Sequence, residues 1–126
     1  MPQSDSNQSD RPLTELELRL SRWMLEHGSV DAHAYLSQLD LAEVTPWRCP
    51  CGCASINFKI AGHPVAPPGV HILADFVFGD PQSGIFLYES NGILSGLEVY
   101  GLAGDAPNWL PEPQLLLPWE SATPPA

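Results

Sequence analysis

The sequence predicts an α+β domain in which two N-terminal helices pack on a four-stranded antiparallel meander sheet, followed by a proline-rich C-terminal tail. Before Trp47 the apolar residues recur at helical spacing, and after it they alternate with polar residues as in half-buried strands. The predicted strands are joined by short connections, which favours antiparallel pairing of successive strands. The apolar face of this sheet must be buried against another layer, and we expect the two helices to form that layer.

The predicted helices have clear boundary signals. Thr14 is the expected N-cap of the first helix, and Glu17, three residues later, completes a capping box. Gly28 supplies the stop. Ser29 is the expected N-cap of a second helix, which ends before Pro46. Because the joint between them is short, the helices turn back on each other or meet at a steep angle.

Three stretches supply the four strands. Residues 55–60 and 71–78 form one strand each, and residues 84–102 form a hairpin. Asn91-Gly92 lies at the centre of this hairpin, and this dipeptide tolerates the two positive φ angles of a type I′ turn.

A two-residue turn predicts the register of the hairpin. Tyr88 then faces Ser95, and Phe86 faces Leu97. One face of the hairpin carries four residues: Phe86, Tyr88, Leu97 and Val99. The opposite face carries Ile85, Leu87, Leu94 and Tyr100. Because Glu98 also falls on this second face, we expect the first face to be the buried one.

The predicted domain covers residues 13–119. Residues 1–12 are mainly polar and acidic, so we expect a disordered N-terminal segment, and we expect residues 120–126 to be a disordered tail. From Pro107 onward the prolines oppose regular strand pairing. This stretch is nevertheless rich in leucine and tryptophan, so it lies along its own domain or docks on a partner.

The charge balance restricts the partners. The 126 residues include 15 acids and five bases, for a formal net charge of −10, and Lys59 is the last basic residue. A surface of this sign repels phosphate, so it disfavours nucleic acid and anionic membranes and favours a basic protein partner. The sequence contains no apolar run of ~18 residues and no visible export signal, so we expect no membrane span and a cytoplasmic location.

The most unusual local feature is the Cys-Pro-Cys-Gly-Cys run at residues 49–53. Thiols at alternating positions can face one way on an extended chain, and the proline and glycine allow that chain to curl around an ion. Zinc needs about four ligands, so a fourth must come from elsewhere, with His63 and His71 the nearest histidines after the run. The candidate zinc ligands are Cys49, Cys51, Cys53 and His63.

Other interpretations of the candidate residues stay open. The cysteines are small enough to be buried apolar residues at a strand start, and Arg48 beside them is a possible activator of a reactive thiol. Asp75 and Glu98, on neighbouring strands, are either a carboxylate pair for acid–base chemistry or solvated surface acids. The sequence lacks a nucleophile elbow, a phosphate loop and a zinc-protease motif, so no catalytic residue is assigned.

Two motifs carry a resemblance. The first is the strand entry Cys-Gly-Cys-x-Ser at residues 51–55, preceded by two short helices, and the second is the hairpin Gly-x-Leu-x-x-Leu-Glu at residues 92–98. Together they resemble a family of small uncharacterised bacterial proteins, over roughly residues 13–117. The resemblance implies the same α+β fold and a bacterial cytoplasmic setting, and it transfers no activity, cofactor or catalytic residue.

These features favour a non-enzymatic protein-binding module whose acidic surface engages a basic protein. One alternative is zinc binding through the cysteine run. The other is a small enzyme or ligand-binding domain, which a concave apolar pocket with converging polar groups would indicate.

Overall fold

Six antiparallel strands form the sheet in the part of the chain that the computed structural model describes, residues 9–80 and 82–119. The strands are β1 (Arg11–Pro12), β2 (Ala42–Val44), β3 (Ile56–Ile60), β4 (His71–Phe78), β5 (Ser83–Ser90) and β6 (Ile93–Gly101). Their order across the sheet is β1-β2-β3-β6-β5-β4.

The helices precede most of the sheet, as predicted. They are α1 (Glu15–Glu26), a 3-10 turn (Ala32–Tyr35) that continues into α2 (Leu36–Leu39), and a late 3-10 turn (Pro113–Leu115). The N-cap predicted at Ser29 is wrong, because the second helical segment begins at Ala32 without a side-chain cap. The capping box at the start of α1 is confirmed. The Glu17 N–H donates to Thr14 Oγ1 at 3.1 Å, and the Thr14 N–H donates to Glu17 Oε1 at 2.9 Å.

The prediction of four strands is wrong because two short strands were missed. Residues 42–44, which the prediction left in or just after the second helix, form β2 and pair with β3. Arg11 and Pro12, which the prediction assigned to the disordered segment, pair with β2 as β1. Runs of two or three residues are too short to show an alternating pattern, so contacts with β3 decide their conformation.

The predicted meander is also wrong for the first long strand. β3 pairs with β6 instead of β4, so β4 lies at the far edge of the sheet, and of the four predicted strands only β4, β5 and β6 pair in the order of the chain. Three strand spacings of about 4.8 Å separate β3 from β4. The ten residues 61–70 are long enough to cross that distance, so the connection does not force β3 and β4 to be neighbours.

The hairpin turn is confirmed, but the register beyond it is wrong. Asn91 and Gly92 have φ angles of 55° and 80°, and Ser90 pairs with Ile93 as a two-residue turn requires. Two pairs further on, a β-bulge leaves Ser95 without a counterpart, so Tyr88 pairs with Gly96. One inserted residue reverses the facing of every later side chain on that strand.

The bulge exchanges the faces predicted for β5. Leu87 pairs with Leu97 and Ile85 with Val99, and all four are buried. Phe86 pairs with Glu98 on the opposite side of the sheet. The buried face therefore carries the aliphatic side chains of both strands, while the aromatic side chains of β5 lie on the side away from the helices.

The helices cover the aliphatic face and form the core with it. Leu20, Met24 and Leu25 of α1 are at most 1% exposed. The chain leaves α1 very close to β4, where the Ser29 N–H donates to the Leu73 carbonyl at 2.8 Å. A Cβ on Gly28 would lie 2.5 Å from the same carbonyl oxygen, so glycine permits this close approach.

The proline-rich tail lies along its own domain as far as it is described. Val77 and Leu117 exchange two backbone hydrogen bonds, of 2.9 and 2.8 Å, at the outer edge of β4. Leu116 is 6% exposed, and Arg19 on α1 binds Glu112 at 2.7 Å. Residues 1–8 and 120–126, which contain most of the predicted disordered segments, lie outside the described residues.

Candidate functional site

The cysteine run forms a turn between β2 and β3. The Gly52 N–H donates to the Cys49 carbonyl at 3.0 Å and closes the turn. The three Sγ atoms lie within 4.8 Å of one another, and those of Cys49 and Cys51 are 2.9 Å apart. The Cys53 N–H also donates to Cys51 Sγ at 3.3 Å. The turn therefore gathers all three thiols.

The interpretation of the cysteines as buried apolar residues is wrong. Cys51 is exposed, and Cys49 and Cys53 are only half-buried. The run lies in a turn before β3 and outside the strands, so its side chains do not alternate into the core as strand residues would. Of the three, Cys53 packs against the core.

The thiols differ in acidity. Burial raises the pKa of Cys53, but hydrogen bonds with Ser55 and Cys51 outweigh burial and lower that pKa to about 7. Hydrogen bonds to Cys49 and Cys53 raise the pKa of Cys51 to about 11. Of these two thiols, Cys53, which packs against the core, is therefore the more readily ionised.

The histidines named as the nearest fourth ligands lie elsewhere. Among the described residues, the group of side chains able to hold a metal contains the three cysteines and no histidine. β3 has five residues, about 17 Å of extended chain, and it separates the cysteine turn from His63. His71 begins β4, where its Nδ1 lies 2.6 Å from Glu89 Oε2. The structure therefore does not bring His63 or His71 to the sulfurs.

A cavity of about 820 Å³ opens beside the cysteine turn. Cys49 and Cys53 contribute to its wall, together with the beginning of α1 and Trp109 of the tail. The carboxylate in the cavity wall belongs to Glu17. It accepts hydrogen bonds from both terminal guanidinium nitrogens of Arg11 at 2.9 Å and from the Thr14 N–H of the capping box. These contacts commit Glu17 to the fold and leave it poorly placed as a general base.

The second candidate site is the open face, defined here as the side of β4–β6 turned away from the helices. Three half-buried rings, Phe86, Tyr88 and Tyr100, lie on it, with the Phe86 centroid 5.7 Å from that of Tyr88 and 5.9 Å from that of Tyr100. A Cβ on Gly84 would lie 2.2 Å from the Tyr100 ring, and one on Gly96 would lie 2.7 Å from the Tyr88 hydroxyl. These glycines let the tyrosine rings lie close to the sheet.

Two carboxylates accompany the rings. Asp75 and Glu98 do not lie on neighbouring strands, because β5 runs between them and Phe86 is paired with both. Asp75 Oδ1 accepts hydrogen bonds from Trp119 Nε1 at 2.7 Å and from the Tyr100 hydroxyl at 3.4 Å. Burial, followed by the charge of Asp75, raises the pKa of Tyr100 to about 12, so this tyrosine stays neutral. The two acids flank an aromatic surface instead of forming a catalytic pair.

Sequence reasoning missed the aromatic surface because it placed Phe86 and Tyr88 in the core and Tyr100 opposite them. The available signal was Gly84 and Gly96, since glycines inside strands mark close approach of another group. Each glycine lies directly across from a tyrosine in the observed register, Tyr100 and Tyr88 respectively.

No helix in residues 9–80 and 82–119 has both the length and the apolar character needed to cross a bilayer. Comparison with protein-family models, with curated proteins and with solved structures found no match to this chain. The resemblance based on the cysteine run and the closing hairpin therefore stays a prediction, and the function has to be argued from the two sites themselves.

Proposed function

We propose that this protein is a non-enzymatic binding module that recognises a basic segment of a partner protein through the open face of its sheet. The observation that carries the proposal is the set of three partly exposed rings, of which Phe86 lies in register between Asp75 and Glu98. Aromatic faces attract guanidinium and ammonium groups, and the methylene stems of arginine and lysine pack on them. Carboxylates beside the rings add charge-assisted hydrogen bonds for the same cations.

The distribution of charge supports the same partner. Lys59 is the last basic residue, so the sequence beyond it, including β4, β5 and β6, contains no lysine or arginine. Lys59 itself donates to the backbone carbonyls of Ile60 and His63. With a formal net charge of −10, the whole molecule attracts a basic partner over a distance of about 10 Å at 0.1 M salt.

The test uses an arginine-rich peptide as the probe and a glutamate-rich peptide of equal length as its matched control. We expect the basic peptide to shift the amide resonances of β5 and β6 and to change the fluorescence of Trp119, which borders the open face. The acidic peptide should change neither. The association rate of the basic peptide should fall as salt is raised, because screening removes the long-range attraction.

A charge reversal locates the binding surface. Glu98→Lys places a cation beside the rings and should weaken binding of the basic peptide by about 10-fold or more. Glu26→Lys makes the same change of charge at an exposed position on α1, so it should cost about 2-fold or less through net charge alone. Equal losses in the two variants, or an association rate that does not depend on salt, would count against the proposal.

A further inference from the structure

We infer that Cys49, Cys51 and Cys53 bind one thiophilic metal ion through three thiolates, without a histidine ligand. The ion is of the soft class that prefers sulfur, represented by Zn²⁺ and Cu⁺. This site is separate from the open face, so it adds a second activity to the proposed peptide-binding function and does not depend on it.

The arrangement of the sulfurs already approaches that of a coordinated ion. At a metal–sulfur distance of about 2.3 Å, neighbouring sulfurs of a three- or four-coordinate site lie roughly 3.8–4.0 Å apart. The three Sγ atoms all fall within 4.8 Å of one another, and the pair of Cys49 and Cys51, at 2.9 Å, has only to open by about 1 Å. Side-chain rotation supplies a change of this size in an exposed turn.

The backbone prepares the turn for this role. The bond from the Gly52 N–H to the Cys49 carbonyl folds the chain so that cysteines two residues apart bring their sulfurs together. Gly52 has a φ angle of 84°, a value that glycine adopts without strain. A fully extended strand would instead separate alternate residues by about 6.6 Å. The order that metal binding requires is therefore largely present before the ion arrives.

The ligand set also determines the coordination number. The metal-capable group in the described part of the chain contains three sulfurs and no nitrogen or carboxylate oxygen. Three thiolates complete a trigonal Cu⁺ site, whereas Zn²⁺ retains one open position for water or for a ligand from another molecule. The exposure of Cys51 leaves that position accessible.

The test uses the full chain, purified under reducing and chelator-free conditions, with Zn²⁺ and Cu⁺ titrated separately against a competing chromophoric chelator. We expect one ion per chain in at least one of the two titrations, and Co²⁺ in place of Zn²⁺ should give sulfur-to-metal charge-transfer absorption. Cys49→Ser, Cys51→Ser and Cys53→Ser should each weaken binding by more than about 100-fold, because loss of a direct ligand exceeds the roughly 10–100-fold cost of losing a second-shell partner.

His63→Ala and His71→Ala are the matched controls and should leave the metal affinity unchanged. Should a serine variant fail to fold, thiol alkylation of the wild-type chain supplies the second measurement, since a bound ion should protect all three cysteines together. Less than about 0.2 ion per chain with both metals, or a loss in His63→Ala equal to that of the serine variants, would overturn the inference. Alkylation of any of the three thiols at the same rate with and without metal would also overturn the inference.

Discussion

At the scale of single residues, Glu17 connects the start of α1 to the first strand. Its carboxylate accepts hydrogen bonds from the Thr14 N–H and from both terminal guanidinium nitrogens of Arg11, each at 2.9 Å. Burial by itself raises the pKa of Glu17, but the hydrogen bonds from Arg11 and Thr14 hold that pKa below its ordinary value of 4.5. The charged form of Glu17 is therefore the form that stabilises the fold.

The sign of this shift predicts a pH-dependent contribution to stability. Because the folded-state pKa of Glu17 is lowered, its contribution is fully present above about pH 4.5 and is lost as the pH falls through the folded-state pKa. Glu17→Gln should lower the free energy of unfolding by about 1–2 kcal/mol at pH 7. The difference from the wild type should shrink progressively below pH 4.5.

Urea unfolding at a series of pH values measures this difference. Glu15→Gln, at an exposed position in the same first turn, is the control and should change the stability by less than about 0.5 kcal/mol. A difference for Glu17→Gln that stays constant down to pH 3 would contradict the linkage.

At the scale of elements, α2 and the hairpin are joined by one side chain that the sequence did not identify. Gln38 Nε2 donates to the Gly92 carbonyl at 2.9 Å, and Gln38 Oε1 accepts the Leu94 N–H at 2.8 Å. These bonds link α2 to the end of the hairpin next to the bulge at Ser95. The contact stabilises the place where the register of β6 changes.

Gln38→Ala should therefore destabilise the protein by about 1–3 kcal/mol, because it leaves two backbone groups near the bulge without their partner. Ser37→Ala changes the exposed neighbour and should cost less than about 0.5 kcal/mol. Chemical denaturation of both variants measures the difference, and amide exchange at Leu94 should speed up in Gln38→Ala alone. Equal stabilities would show that the bridge contributes nothing.

The hairpin also shows how far local patterns reach. The Asn-Gly pair predicts its own turn, because the two positive φ angles depend on these two residues. The bulge at Ser95 depends on which side chains the helices bury, and the aliphatic side chains of β5 fill that space in preference to Phe86 and Tyr88. An alternating pattern in which both faces are apolar does not choose between these registers.

At the scale of the whole molecule, the tail completes the domain by covering part of the outer edge of β4. Leu117 supplies the two backbone hydrogen bonds to Val77, and Leu116 enters the core. Trp119 then reaches Asp75 on the open face. An uncovered edge strand can pair with strands of other chains. The tail therefore stabilises the domain and also shields part of β4 from such pairing.

Neighbouring leucines in the tail provide a matched pair for testing its contribution. Leu116→Ala should lower the free energy of unfolding by about 2–5 kcal/mol, because that side chain is only 6% exposed. Leu115→Ala, at 51% exposure, should change it by less than about 0.5 kcal/mol. Thermal and urea unfolding measure both values, and equal effects would mean that the tail is not part of the cooperative fold.

The sequence alone determined the features that depend on residues a few positions apart: the capping box of α1, the span of β4 and the type I′ turn at Asn91-Gly92. It also identified the cysteine run, because a short turn keeps alternating thiols together. Only the tertiary structure decided the strand order, the bulge at Ser95 and which side chains belong to the cysteine cluster. Those outcomes depend on which distant segments share a core, and local spacing carries no information about such long-range contacts.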